Sequence, residues 1–197
     1  MLRWLFVAGF AAAAPVARAD TLDQSLLVLI EPSFFRPQVS FPIPGAERTC
    51  YVPASRVGDE LVYFSKKEFT NLNLTWPHIF ELGRKAAETE LEKCKPVFSR
   101  NKREVIEYAL VRSERQLAGT LVLAPKFLKL FEDTLGPKVL VAIPNRYSLY
   151  VFPALASNYR QFGPMIIDAY KSSAYPVSLE VFEISENGMR ATGTFEE

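Results

Sequence analysis

The chain has 197 residues, 49% of them apolar, and carries 23 Lys and Arg against 22 Asp and Glu. A formal charge of +1 with mixed signs excludes the strong basic stripe that a nucleic-acid surface needs. Lys66-Lys67 and Lys102-Arg103 are too short to change that and read as solvated faces. One histidine and two cysteines exclude the paired ligand spacing of a zinc site.

Met1-Leu2-Arg3, the apolar run Trp4 to Pro15, and Val16-Ala17-Arg18-Ala19 before Asp20 form the pattern of a cleaved secretory signal. The run is shorter than the roughly 20 apolar residues that cross a bilayer. Asp20, rather than cysteine, follows the cut, so lipid attachment is not expected. The expectation is a signal peptide over residues 1–19 and an exported soluble protein, periplasmic or secreted, with no transmembrane segment once the signal is removed. Removing 19 of 197 residues leaves 178, read as a single domain over 20–197.

Residues 25–30, Ser-Leu-Leu-Val-Leu-Ile, predict a buried strand that Glu31-Pro32 stops. Residues 32–44 hold four prolines among Phe34, Phe35 and Phe41, a density that excludes helix and central strand. These aromatics either dock a partner or fold back over the core. Strands follow at Arg48–Val52 and Glu60–Phe64 around a Gly58-Asp59 turn. Residues 76–94 predict the clearest helix: Thr75 as cap, Pro77 in the first turn, and Phe80, Gly83, Ala87, Leu91 and Cys94 on one face. Val105–Val111 reads as a strand, and Gly119–Leu123 as a short strand or the approach to a helix. Phe127, Leu128, Phe131 and Leu135 predict a helical stripe that Gly136-Pro137 closes.

Val139–Ile143 and Leu149–Phe152 then alternate like two strands joined at Pro144-Asn145-Arg146-Tyr147. A weaker helix spans Ser157–Lys171, interrupted at Gly163-Pro164. Leu179–Ile184 and Met189–Phe195 flank Asn187-Gly188, a strong hairpin signal. Hairpins interleaved with helices predict the α+β class: an antiparallel or mixed sheet with two to three helices packed on one face.

Cys50 and Cys94 are an even pair in a chain read as exported, which predicts a disulfide. It would close a loop of about 44 residues, worth roughly 4 kcal/mol of closure entropy. The alternative is two separate buried thiols.

Three stretches carry a resemblance. They are the helix ending in Leu135-Gly136, the corner Val141-Ala-Ile-Pro-Asn-Arg-Tyr-Ser-Leu149, and Pro176-Val-Ser-Leu-Glu-Val-Phe-Glu-Ile184 before the last turn. Over about 76–197 the chain resembles the YtpQ-like family of bacterial proteins of unknown function. The chain departs from that pattern with Tyr147 where an acid is common, and with its leader. The resemblance implies no reaction.

His78 falls with Lys85 and Thr89 on the polar side of its helix, and no Gly-x-Ser-x-Gly elbow accompanies it. Glu107, inside an apolar strand, is the most unusual acid, though pairing with Arg112 or Arg115 explains it without catalysis. No phosphate cradle can be read, and neither catalytic residue nor cofactor is assigned. At Asn145-Arg146-Tyr147, turn chemistry accounts for the asparagine but not for a five-donor cation beside an aromatic ring, which suits carboxylate or phosphate recognition. Asn145, Arg146 and Tyr147 are therefore the candidate binding residues, for an unknown protein or a small anionic ligand. The reading is a non-catalytic binding or interaction module; a hydrolase using acidic residues and His78 is the alternative.

Overall fold

The computed structural model describes residues 26–155 and 158–195. The signal-peptide reading over residues 1–19 lies outside the described residues.

The fold is α+β, with two antiparallel sheets. The small sheet centres on β3 (Thr49–Val57). One side of β3 pairs with β1 (Leu26–Pro32) from Leu26↔Ser55 to Pro32↔Thr49. Its other side is shared by β2 (Phe41–Pro42) and β4 (Glu60–Tyr63). After β4 come α1 (Lys66–Asn71), started by a Ser65/Glu68 capping box, and α2 (Trp76–Leu91). The large sheet follows, built from β5 (Val97–Arg100), β6 (Ile106–Arg112), β7 (Val139–Asn145), β8 (Ser148–Pro153), β9 (Glu180–Ser185) and β10 (Gly188–Thr194). Its order is β10-β9-β7-β8-β6-β5. A one-turn α3 (Glu132–Leu135) precedes β7, and α4 (Gly163–Lys171) lies between β8 and β9.

Side-chain alternation divides the core. Val139, Val141 and Ile143 of β7 join Leu26, Val28 and Ile30 of β1 in one apolar cluster between the sheets. Leu140 and Ala142 point the other way and pack with Phe152 and with Ile166 of α4. Helices thus lie on both sides of the large sheet. Helix α2 buries Ile79, Gly83, Ala87 and Leu91 at four-residue steps. A Cβ on Gly83 would lie 2.5 Å from Val28 Cγ2, so only glycine lets helix and strand approach this closely. Thr75 holds the cap position of α2 but its side chain makes no capping bond.

Residues 119–123 form a 3-10 helix wedged between the sheets. A Cβ on Gly119 would lie 3.2 Å from Ile143 Cγ2 and 3.5 Å from Ile30 Cβ. Thr120 Oγ1 donates to Val28 O at 3.0 Å, which satisfies one carbonyl of β1.

The expected disulfide is not formed. Cys50 and Cys94 are both free thiols. Strand parity explains this: Tyr51 faces α2, meeting the Phe80 ring at 5.6 Å, so its neighbour Cys50 points away from α2, and Cys94 follows just after that helix ends at Leu91. Cys50 Sγ donates instead to Glu31 O at 3.7 Å, and Cys94 Sγ to Glu90 O at 3.4 Å. Burial pushes both thiols above their ordinary range.

Candidate functional site

Asn145 ends β7 and organises the corner. Its Oδ1 accepts from Tyr147 N (2.9 Å), Ser148 N (3.0 Å) and Ser148 Oγ (3.1 Å), while Nδ2 donates to Ala169 O of α4 at 2.9 Å. A carboxamide engaged this fully builds the turn.

Arg146 turns inward. Its backbone N–H donates to Tyr175 O at 3.1 Å and its carbonyl accepts from Ala118 N at 3.0 Å. The side chain is 13% exposed, with Nη2 at 2.9 Å from Glu31 Oε1 of β1. The same nitrogen donates to the Tyr63 hydroxyl. The guanidinium carbon lies 5.3 Å from the Tyr175 ring centre and 5.9 Å from that of Tyr63. The corner's cation is therefore spent inside the protein.

Glu31 is 2% exposed, and its Oε2 has no hydrogen-bond partner among the described residues. Burial raises its carboxyl above 4.5, outweighing the pull of Arg146. Arg146 is held above its own ordinary value because Glu31 outweighs the cost of burying it. Burial, with the Glu31 charge next, pushes the Tyr63 phenol up to about 12.

What the corner shows to solvent is aromatic. Tyr147 and Tyr175 are 39% and 41% exposed and meet edge to face, centroids 6.1 Å apart. Tyr147 is fixed from below by Ser113 N, which donates to its carbonyl at 2.9 Å. Beside it opens a shallow cleft of about 380 Å³ whose walls include Arg112, Ser148, Ser172 and Ser173. Across α4, a second cleft of about 310 Å³ lies between Phe34 and Tyr170, over the buried carboxylate of Glu180. A longer groove of about 970 Å³ runs under the β9–β10 tip, where Lys138 and Arg190 both pair with Glu183, at 3.2 and 2.9 Å.

The other candidates stand apart. His78 is exposed on the first turn of α2 and makes no hydrogen bond or ion pair among the described residues. Glu107 is half-buried on β6 and pairs with neither arginine; Arg115 goes to Glu90 at 3.1 Å. No group of three or more metal-ligating side chains comes together among the described residues. No helix among them is long and apolar enough to cross a membrane.

Sequence reading missed Glu31, Tyr63 and Tyr175. An acid closing a continuous apolar strand was the available signal for Glu31. Nothing in the sequence signals Tyr175, which reaches the corner only because residues 175–178 run beside the end of β7, with Val177 N donating to Pro144 O at 2.8 Å. Comparison with family models, curated proteins and solved structures yields no match.

Proposed function

We propose that this chain is an exported, non-catalytic binding module whose contact surface is the Tyr147–Tyr175 pair. The observation that carries the reading is how that pair is mounted. Two half-exposed rings meet edge to face, and that of Tyr175 lies 5.3 Å from the guanidinium of Arg146, which is already paired with Glu31. Tyrosine offers a large amphipathic contact with little rotamer freedom to lose, and here that freedom is restricted before any partner arrives. Export is supported by the leader-like N-terminus, and kinship with the YtpQ-like family by the corner and Pro176 motifs. The hydrolase alternative needs an acid and a nucleophile around His78, and that histidine stands in open solvent instead.

Crosslinking capture in the native host tests this, comparing the wild type with Tyr147→Ala/Tyr175→Ala. The expected result is loss of the captured species with the melting temperature kept within about 2 °C, as for exposed side chains. Equal capture by both proteins removes this surface from consideration.

A further inference from the structure

We infer that the cleft flanking Tyr147 takes a saccharide bearing a carboxylate, with Arg112 as its anion partner. The inference rests on the binding-module reading and names its ligand class. At about 380 Å³ the space falls within the usual range of roughly 300–1,000 Å³ for small-ligand sites.

Arg112 is the arginine of this cleft that is open to a ligand. In the groove under the β9–β10 tip, Lys138 and Arg190 share Glu183, and Lys129 lines the wall with Glu132 and Glu186. Arg146 is taken by Glu31. Arg112 ends β6 opposite Ser148 and is exposed on the cleft wall, and its side chain makes no hydrogen bond or ion pair among the described residues. A free planar guanidinium fits one carboxylate in bidentate fashion.

The rest of the wall fits hydroxyl groups, each of which both donates and accepts. Ser148 Oγ donates to Asn145 Oδ1 and Ser172 Oγ to Asp168 O at 2.7 Å, so both retain lone pairs toward the cleft. Ser173 Oγ accepts from Tyr175 N at 3.1 Å and keeps a proton to give. The Tyr147 ring adds an apolar surface with a polar tip, which suits the C–H face of a sugar ring. Phosphate fits less well. Ser172 and Ser173 stand at the C-terminal end of α4, where the helix dipole is negative, and Asp168 lies within electrostatic reach of Tyr150 in the same wall. A second negative charge would be placed against that end.

Titration calorimetry on the full chain tests the assignment with galacturonate, which carries a single carboxylate, neutral galactose and inorganic phosphate as probes. Galacturonate should bind, galactose about ten-fold more weakly, and Arg112→Gln should erase that difference, as expected for one charge-assisted contact. Tyr147→Ala should weaken both sugars, and phosphate should displace neither. No binding of galacturonate, binding indifferent to Arg112→Gln, or displacement by equimolar phosphate would each overturn the inference. If galacturonate fails while capture still depends on Tyr147 and Tyr175, the ligand class is wrong and the binding surface stands. If capture ignores the tyrosines while the sugar binds through Arg112, the reverse holds.

Discussion

Two buried glutamates join the sheets from opposite sides. Glu31 leaves the small sheet to meet Arg146 of the large one. Glu180 leaves β9 of the large sheet to meet the loop entering β3: its Oε1 accepts from Glu47 N at 2.8 Å and Arg48 N at 3.3 Å, and its Oε2 from Thr49 Oγ1. They are alike in type and burial, at 2% and 6% exposure. They differ in partners. Glu180 is held at both oxygens by neutral donors, whereas Glu31 has one cation on Oε1, the Tyr63 hydroxyl nearby, and no geometric partner for Oε2 among the described residues. A carboxylate satisfied by backbone is a fixed tether. One that depends on a single charged partner makes that partner indispensable, and here the partner also supports the exposed tyrosines.

The largest effect should come from removing the cation. Arg146→Met leaves Glu31 buried with no counter-charge, which costs about 3–5 kcal/mol at neutral pH. Part of that should return on acidification, as Glu31 takes up a proton and the charge disappears. Urea denaturation near neutrality and near pH 5 measures both; an unchanged midpoint would mean that Arg146 does not carry the junction. Glu180→Gln should cost less, about 1–3 kcal/mol, because the remaining oxygen still accepts from the backbone while the new amide faces the Thr49 hydroxyl, which must turn to receive it. A loss equal to that of Arg146→Met would erase the distinction between the two junctions.

Much of this architecture was legible in the sequence, and the reason is period. Strand β1 is a continuous apolar run, and β7, β8, the helix from Trp76 and the final Asn-Gly hairpin each carry a two- or near-four-residue repeat on their own residues. Residues 119–123 have the composition of a strand and became a 3-10 wedge, because their neighbours are Ile30 and Ile143 from separate sheets and leave no ladder to join. The cysteine pairing failed for a related reason. Count and inferred compartment suggested a bridge, but strand parity at Tyr51 sets the direction of Cys50, and that needed the position of α2. At the corner, local turn chemistry identified Asn145 correctly as turn-forming. Whether Arg146 faced water depended on Glu31, 115 positions away in the chain, and no local pattern reports that.

The Glu31 side of the junction is sharpened by titration. Its carboxyl is raised above 4.5 in the fold, so the folded chain holds the proton more tightly than the unfolded one. The stability it contributes is complete below pH 4.5 and is lost as pH rises through the raised value. Glu31→Gln has no such titration. The stability of the wild type relative to this variant should therefore fall from about pH 4 to neutrality, and the neutral-pH change should be smaller than for Arg146→Met because the amide oxygen can still accept from Arg146, and the charge left behind is 13% exposed where that of Glu31 is 2% exposed. A relative stability that climbs with pH would show the attraction of Arg146 outweighing burial.

The smallest effect on stability should accompany the largest effect on binding. Tyr147 and Tyr175 are each about three-fifths covered; their rings meet each other, and that of Tyr175 also lies against the Arg146 guanidinium. Removing either ring leaves that guanidinium paired with Glu31, so each alanine substitution should stay within about 0.5 kcal/mol of wild type in urea denaturation. Because the rings touch, the double variant should cost less than the sum of the singles by up to about 0.5 kcal/mol, the lower end for an aromatic pair interaction. Strict additivity would mean that the pair is an accident of two exposed residues. Coupling in the free protein, together with loss of capture in the double variant, would identify it as a surface rigid before its partner arrives. Arg146→Lys then separates support from contact. A lysine keeps a charge for Glu31 but loses the planar face beside Tyr175, so capture should weaken although a cation remains at residue 146.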